Sequence, residues 1–327
     1  MGISYCLYVN KKISEGILKK VQILLSLYNP NQDYLIKQLD SINHQTCQDL
    51  EVLIFDDGHF KYPVDRTLIQ SHLNQVSYSF LPPQDKNLGY EKAFETLIQK
   101  STADILAFCD QDDIWMPNKI EKCVRQLEQD QSLAVVSDKS IIDSKDTIVI
   151  ESVKQQSSRY FDRWETGDDI AKYDLFICYA VGMSMVVDGD FARKSMPISR
   201  YTAHDKWLLA CAASEGSVSY INEPLVLYRR HGNNVSGTLM DVHSKKDYYT
   251  NRILRRKGLL DDFFKKYPNH KDKEEVMAFM KAQLDGDIKG IKQYAYLAPD
   301  IAKFDIVYSI LPDFLFRLFL ILLKKRV

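Results

Sequence analysis

The part of the sequence best suited to chemistry is an acidic cluster at residues 110–115, Asp-Gln-Asp-Asp-Ile-Trp, which follows an apolar run. Three carboxylates within four residues repel one another unless a cation or hydrogen bonds compensate. Hard divalent cations take oxygen ligands and often share them with substrate phosphates. The cluster therefore predicts Mg²⁺ or Mn²⁺, held by Asp110 or Asp112 while it bridges a diphosphate. The alternative is an acidic loop that caps the next helix through Asp113.

Two further polar clusters also follow apolar runs. Asp56-Asp57-Gly58 comes after the run at 50–55, and one of its carboxylates could accept hydrogen bonds from a nucleotide base or ribose. Asp-Gly is equally common in simple turns. Asn87-Leu88-Gly89 precedes a helical pattern, where a glycine permits close backbone approach and a helix N-terminus favours anions. Each of these motifs is weak on its own.

The second half of the chain holds two more clusters. One is His204-Asp205-Lys206-Trp207, although an isolated His-Asp pair is usually structural. The other is Tyr-Arg-Arg-His-Gly-Asn-Asn at 228–234. Its Arg229 and Arg230 suit phosphate oxygens, and a neutral His231 suits a metal ion. The alternative for this segment is a basic surface patch.

Apolar runs of strand length alternate with helical patterns in the first half of the chain. The predicted strands are 21–27, 50–55, 76–81, 104–109 and 133–137, and the helices between them begin near Asp33, Gly89 and Pro117. This alternation predicts an α/β fold with a mostly parallel sheet flanked by helices. Ligands bind outside the carboxyl ends of the strands in such sheets. Polar residues collect at those ends: Asn29, Asp56, Asp57, Asp110, Asp112 and Asp138.

Three regions are predicted along the chain. Residues 1–20 form an N-terminal arm or an extra strand, 21–240 form the α/β domain, and 241–327 form a helical C-terminal extension. Within the α/β domain, the polar stretch 155–169 indicates a mobile loop. A further apolar run lies at 177–187, and the patterns that follow predict a helix around 204–213 and a strand at 225–229.

The last apolar segment, 306–323, is interrupted by Pro312, Asp313 and Arg317, and it ends in a basic triplet. A helix that spans a membrane needs about 20 predominantly apolar residues. We therefore predict a helix that lies in the membrane interface with its basic end on anionic headgroups. A helix packed in the core is the second choice, and a spanning helix the third.

Composition narrows the class of protein. With 45% hydrophobic residues the chain resembles an ordinary folded protein, and its net charge of −1 gives no basic field for nucleic-acid binding. No charged-then-apolar leader is evident at Met1, which favours a cytosolic protein. The cysteines lack CxxC spacing, so we expect reduced, mostly buried thiols rather than disulfides. These are Cys6, Cys47, Cys109, Cys123, Cys178 and Cys211.

Taken in order, the motifs resemble those of the inverting family-two glycosyltransferases with the GT-A fold, from Val21 to about Gly237. The segments that carry the resemblance are Ser26-Leu27-Tyr28-Asn29, Asp56-Asp57-Gly58, Asn87-Leu88-Gly89 with Ala93, and residues 110–115, 204–207 and 228–234. The last three are similar to the bacterial rhamnosyltransferase-like subgroup. Two positions near the predicted donor site depart from the family pattern, Leu27 for a usual Thr and His59 for a usual Ser.

The resemblance implies a role for each matching residue. Asp205 would be the general base, and Asp110, Asp112 and His231 would hold the Mg²⁺ or Mn²⁺ ion. The donor-binding residues would be Asn29, Asp56, Asp57, Asn87, Gly89, Asp110, Arg229 and Arg230, with the arginines neutralising the leaving diphosphate.

The resemblance also implies an activity. The chain would transfer L-rhamnose from dTDP-L-rhamnose onto a lipid-linked saccharide at the cytoplasmic face of the membrane, in the synthesis of a bacterial capsule, cell wall or other surface polysaccharide. The same chemistry with a UDP-hexose donor is an alternative, and a non-catalytic saccharide-binding or scaffold protein is another. A nucleotidyltransferase would need a glycine-rich basic loop after the first strand, where this chain has Tyr28-Asn29-Pro30.

Overall fold

The computed structural model describes residues 19–47, 49–231 and 239–324. The predicted arm before residue 19, the end of the 228–234 motif and the final basic residues lie outside these ranges. The described chain divides into two compact units. The first comprises 19–169, 179–198 and 203–231, and the second comprises 170–178, 199–202 and 239–324. The second unit thus takes in two short segments from before residue 241.

The first unit is built on a mixed sheet. Its strands are β1 (Val21–Leu27), β2 (Leu50–Asp56), β3 (Ser77–Phe80), β4 (Ile105–Cys109), β5 (Ile114–Trp115), β6 (Ala134–Ile142), β7 (Ile148–Ile150), β8 (Met185–Asp188) and β9 (Val218–Arg229). Their order is β3-β2-β1-β4-β8-β6-β9-β5, with β7 paired to β6. Strands β1 to β4 pair in parallel, as do β6 and β9, whereas β8 runs antiparallel between β4 and β6.

Helices and turns connect these strands. The helices of the first unit are α1 (Gln32–Asn43), α2 (Arg66–His72), α3 (Tyr90–Lys100), α4 (Lys119–Gln129), α5 (Val153–Gln156), α7 (Gly189–Lys194) and α8 (His204–Glu215). Short 3₁₀ turns occur at Tyr160–Asp162 and Gly182–Ser184.

The central strands are apolar on both sides because helices cover both faces of the sheet. Ile23 and Leu25 of β1 and Ile105 and Phe108 of β4 are completely buried. Helix α1 begins at Gln32, next to the predicted start at Asp33, and is capped by Asn31, whose side-chain oxygen accepts the N–H of Tyr34.

The predicted strands are found, and two of them are longer than predicted. β6 continues past residue 137 to Ile142, and β9 begins at Val218, because the two strands pair in parallel over a long register that short apolar runs do not reveal. The apolar run at 177–187 contains the turn Gly182–Ser184 and most of β8.

The second unit is helical. Its elements are α6 (Ala171–Asp174), α9 (Lys245–Tyr248), a π-helix (Tyr249–Leu254), α10 (Arg255–Lys266), α11 (Lys273–Asp285), α12 (Ile288–Gln293), a 3₁₀ turn (Ala295–Leu297), α13 (Pro299–Ile310) and α14 (Asp313–Lys324). The predicted C-terminal helix is divided in two because Pro312 cannot continue α13. No helix in the described part of the chain combines the length and the apolar character that a transmembrane span requires.

Candidate active site

Asp56 ends β2 as a buried carboxylate with one oxygen in use. Its Oδ2 accepts the N–H of Val64 at 3.0 Å and lies 3.5 Å from Nδ1 of His59. Its Oδ1 is shielded from solvent and has no hydrogen-bond partner among the residues that the structure describes. Buried polar atoms are nearly always paired, so this oxygen is suited to a donor from a ligand.

Asp57, in contrast, uses both of its carboxylate oxygens to bind the backbone of another loop. Its two oxygens accept the backbone N–H groups of Leu88, at 2.7 Å, and of Gly89, at 3.0 Å. Burial raises the pKa of Asp57 above its ordinary value, although both hydrogen bonds oppose that shift. Gly89 has a φ of 81°, in the left-handed region that favours glycine, and α3 begins directly after it. The Asp57 carboxylate thus fixes the predicted Asn87-Leu88-Gly89 loop, in which Asn87 is exposed.

The loop after β1 is joined to the acidic cluster through Gln111. The side chain of Gln111 accepts the N–H of Tyr28 at 2.8 Å and donates to the Tyr28 carbonyl at 3.2 Å. Asn29 follows, exposed and with a φ of 44°, which asparagine tolerates better than most residues. The Cβ of any side chain at Gly58 would come within 3.2 Å of the Asn29 backbone nitrogen, so the turns after β1 and β2 pack closely.

The charges of two carboxylates, Asp112 and Asp205, act on a third, Asp110. Asp110 follows β4, Asp112 lies two residues later, and Asp205 is in the first turn of α8. Burial, first, and then the charges of Asp112 and Asp205 raise the pKa of Asp110 to about 7. The carboxylates predicted to hold the metal and the predicted base therefore lie close enough to interact electrostatically.

Asp112 is paired with His231, the histidine that was predicted to share a metal ion with it. Nε2 of His231 and Oδ2 of Asp112 are 2.9 Å apart, and the His231 ring lies 5.4 Å from that of Tyr34. Neighbouring Asp113 is fully buried, and its Oδ1 accepts the N–H of Arg229 at 2.9 Å. Asp113 therefore joins the acidic cluster to the end of β9 and does not cap the helix that follows.

Arg229 occupies a structural position. It is completely buried and donates to the carbonyl oxygens of Asp112, at 2.8 Å, and of Asp143, at 3.2 Å, and to the Asp146 carboxylate. Its guanidinium also lies 4.3 Å from the ring centre of Tyr34. The guanidinium is therefore buried against protein groups. Of the two predicted arginines, Arg230 is the exposed one.

His204 was given no role of its own by the sequence, yet it holds the start of α8. Its ring is 4% exposed, stacks on Phe94 at 3.9 Å and lies 4.7 Å from Phe108. A Cβ at Gly182 would come within 2.5 Å of the imidazole. Burial lowers the pKa of His204 to about 4, so the ring is neutral at pH 7. It thereby sets the place of Asp205, the next residue, against β4 and α3.

The fit of a divalent cation depends on how many ligands the chain must supply. Across the described ranges, no group of three or more His, Cys, Asp or Glu side chains is arranged to hold a metal ion. Mg²⁺ usually retains waters and is held by one or two carboxylates together with substrate phosphates. Of the predicted ligands, Asp112 and His231 are in direct contact, so this pair could supply one carboxylate oxygen and one ring nitrogen to an ion whose remaining ligands are waters and a diphosphate.

Comparison with known proteins decides the family. The sequence model described as glycosyl transferase family 2 matches residues 22–185. The chain belongs to glycosyl transferase family 2. The matched part of this family-2 chain includes Asp56, Asp57, Asp110 and Asp112, whereas Asp205 lies beyond it.

Two curated relatives of this family-2 member are informative. It is 26% identical to an uncharacterized glycosyltransferase of Nostoc sp. over 223 residues, which cover 66% of each chain. It is 30% identical to the amylovoran biosynthesis glycosyltransferase AmsE of Erwinia amylovora over 109 residues, 32% of this chain and 40% of the relative.

Two solved structures share the fold. TarS of S. aureus in complex with UDP-GlcNAc is 12% identical with a TM-score of 0.56, over 86% of this chain and 82% of that one. The mannosyltransferase PcManGT of Pyrobaculum calidifontis in complex with GDP-Man and Mn²⁺ is 14% identical with a TM-score of 0.53, over 91% and 82%. The GT-A fold predicted from the sequence, with its helical C-terminal region, is confirmed.

Proposed function

We propose that this family-2 member is an inverting glycosyltransferase that moves a sugar from a nucleotide-diphosphate donor to an acceptor hydroxyl, with Asp205 as the general base. The observation that carries the proposal is the shared negative region of Asp110, Asp112 and Asp205. Such a region is costly in a folded protein unless it serves a cation or a proton transfer.

Asp205 is suited to the role of base. It is only partly buried, it lies in the positive field of the α8 N-terminus, and its Oδ1 accepts the N–H of Lys206 at 2.7 Å. The second oxygen would take the proton from an acceptor hydroxyl within about 2.6–3.2 Å. That hydroxyl oxygen attacks the anomeric carbon from the face opposite the nucleotide, the bond to the diphosphate breaks, and the single displacement inverts the anomeric centre.

The leaving diphosphate would lie at the other side of the sugar. Asp110, Asp112 and His231 would hold a divalent cation there, and Arg230 would contribute a further positive charge. When bound, the cation supplies charge neutralisation for the departing diphosphate. The Mn²⁺ in the PcManGT complex supports this assignment by analogy of fold.

The hydrogen bonding of Asp56 supports one class of base in the donor nucleotide over another. Only its Oδ1 lacks a partner, so it offers one acceptor to a base. The imide group of uracil or thymine presents one N–H between two carbonyls and matches a single acceptor. Guanine presents two adjacent donors, which a carboxylate meets best with both oxygens. This supports a UDP or dTDP donor over a GDP donor.

The finer identity of the substrates rests on the motif resemblance. It favours dTDP-L-rhamnose as donor and a lipid-linked saccharide as acceptor, with a UDP-hexose as the alternative donor. The likeness to a relative named for amylovoran biosynthesis supports a role in making a surface polysaccharide.

The C-terminal helix supports a position at the membrane surface. On α14, Phe316 and Leu320 are buried, whereas Phe314 is 69% exposed and Leu318 and Ile321 are each 53% exposed. Met240 is also 68% exposed. Lys324, in the last turn of α14, donates to the carbonyls of Met240 and Val242, so Met240 lies next to the exposed face of α14. An exposed apolar face of this kind is typical of helices that lie in a membrane interface, where a lipid-linked acceptor is available.

The activity is tested by offering the full chain dTDP-L-rhamnose, UDP-glucose, UDP-galactose and GDP-mannose, each with and without EDTA, and measuring release of the nucleoside diphosphate. We expect release from one pyrimidine donor, increased by acceptor and abolished by EDTA. Binding of donors without any release would favour the non-catalytic saccharide-binding alternative. Release from GDP-mannose alone would contradict the assignment of Asp56.

A further inference from the structure

The first turn of α4 contains a buried lysine that the proposed reaction does not use. Lys119 is completely buried, and its Nζ has no hydrogen-bond partner among the residues that the structure describes. Lysine is almost never fully buried unless its charge is compensated. The reason for this lysine must therefore be sought in the groups that surround its ammonium.

Trp115 makes the closest contact with that ammonium. Nζ of Lys119 lies 3.6 Å from the centre of the Trp115 ring, and Trp115 is itself buried. The tryptophan is fixed in β5, where it pairs with Val226 of β9, and its backbone N–H donates to the Ser41 hydroxyl at 3.1 Å. The negative face of an aromatic ring attracts a cation, and the attraction is stronger where water is excluded. The indole ring therefore helps to keep a charged lysine in the core.

The same ammonium interacts electrostatically with residues that flank the predicted cation ligands. Burial lowers the pKa of Lys119, whereas Cys123, Cys109 and Asp113 oppose that shift. Cys109 and Asp113 are the residues on either side of the segment 110–112. Charges act over longer distances in the protein interior than in water. A positive charge at Lys119 is therefore felt by the carboxylates of Asp110 and Asp112.

We propose that the Lys119 ammonium offsets part of the negative charge of the acidic cluster, so that the free protein holds a divalent cation weakly and the donor diphosphate is needed to retain it. The inference rests on the proposed function, in which Asp110, Asp112 and His231 hold that cation. Lys119 touches neither the ion nor the substrate and is a positioning residue that acts through the charges of the cluster. The cation then enters with the donor and leaves with the nucleoside diphosphate.

The test compares the binding of two ligands of opposite charge to the full chain at low ionic strength. Mn²⁺ binding without nucleotide is measured from the electron paramagnetic resonance signal of free Mn²⁺, and UDP binding in EDTA is measured by calorimetry. The test variant is Lys119→Met, which keeps the length of the side chain and removes its charge. Lys119→Gln is a second neutral variant, in case methionine disturbs folding.

The matched control is Lys122→Met, three positions further along α4. It removes the same charge from a side chain that is partly exposed and pairs with Glu223. Exposed charges are screened by solvent and salt, so this variant should bind both ligands as the wild type does.

We expect both neutral variants at position 119 to bind Mn²⁺ about tenfold more tightly than the wild type, and UDP about threefold more weakly. Opposite changes for a cation and an anion are the signature of a lost positive charge. Damage to the structure of the site would weaken the binding of both ligands. That result, or unchanged binding of both, would overturn the proposal.

A further arm separates this inference from the proposed function. Mn²⁺ binding is measured again in the presence of UDP, where the diphosphate completes the coordination of the ion. If the wild type binds no Mn²⁺ even with UDP, the cation of the proposed function is refuted, and this inference with it. If the wild type binds Mn²⁺ with UDP but the variants at position 119 show wild-type affinity for Mn²⁺ alone, only the role of Lys119 is refuted.

Discussion

The carboxylates near the carboxyl ends of the strands divide into two groups by what their oxygens contact. Asp57 and Asp113 accept backbone N–H groups from other loops and so hold the site in shape. Asp56 keeps one oxygen without a partner among the described residues, and the charge of Asp205 raises the pKa of Asp110. Aspartates that are close together in the sequence therefore have different roles. We expect some of their substitutions to affect the structure of the site and others to affect catalysis.

Asp205→Asn should slow transfer greatly because an amide cannot accept the proton of the acceptor hydroxyl. We expect kcat to fall by about 10²–10⁴-fold, the usual contribution of a general base, with donor binding unchanged. Donor binding is measured by calorimetry and turnover by nucleotide release. Asp300→Asn, at an exposed carboxylate of α13, is the control and should retain wild-type kcat. Turnover that persists in the Asp205 variant would remove this residue from the mechanism.

His204 should make stability depend on pH. Its pKa is about 4 when folded and about 6.5 when unfolded, so only the unfolded chain binds the proton between these values. The contribution of neutral His204 to the free energy of unfolding should therefore be complete above pH 6.5. It should fall by up to about 3 kcal/mol as the pH decreases to 4. Urea unfolding across this interval measures the slope. A His204→Leu variant should lose this component, and an identical slope in both proteins would contradict it.

At the scale of elements, the turn between β6 and β7 is tied to α1 and β9. Asp146 pairs with the fully buried Arg229 and with Lys37 of α1, and the Tyr34 hydroxyl donates to the Ser144 carbonyl at 3.2 Å. Arg229 also donates to the Asp112 carbonyl, so the turn between β6 and β7 is connected to the acidic cluster through this arginine.

Asp146→Asn should weaken that support. Asp146 has a φ of 67°, which asparagine tolerates, so the change removes charge without adding backbone strain. Breaking a buried ion pair costs roughly 3–5 kcal/mol, and since Asp146 is one-third exposed we expect about 2 kcal/mol from urea unfolding. Asp190→Asn is the control, because the ion pair of Asp190 with Arg193 is exposed, and it should change stability little. Equal effects would show that the Arg229 pair is unimportant.

At the scale of the whole molecule, the exposed face of α14 is the feature on which the proposed membrane-surface location depends. Deleting 306–327 is a poor test, since it removes Phe316, which packs on Tyr248 and Phe304. Phe314→Gln with Leu318→Gln changes only the exposed face, because both side chains are more than half exposed.

We expect this double variant to bind anionic vesicles about tenfold more weakly or worse, since each large apolar side chain contributes roughly 1.5–3 kcal/mol when buried. Sedimentation with vesicles measures the change. The matched control is Ile148→Gln with Val149→Gln on β7, at 53% and 63% exposure. Unchanged sedimentation of the α14 variant, or an equal loss in the control, would exclude the interfacial helix.

The sequence by itself determined the sheet, the helices that cover it and the clusters at the strand ends. A central strand that is buried on both faces has a continuous apolar run in the sequence, which makes it recognisable. It also supplied the ordered motifs from Asn29 to His231 that led to the family. These features are local, and local patterns are read directly from residue types and spacing.

Only the tertiary structure decided what each polar side chain contacts. That Arg229 is enclosed by Asp146 and Tyr34, and that Gln111 joins the β1 and β4 loops, depends on pairs more than 80 positions apart. The packing of His204 against Phe94 and Phe108 depends on tertiary structure in the same way. Such contacts follow from how strands and helices pack, and no spacing along the chain encodes them.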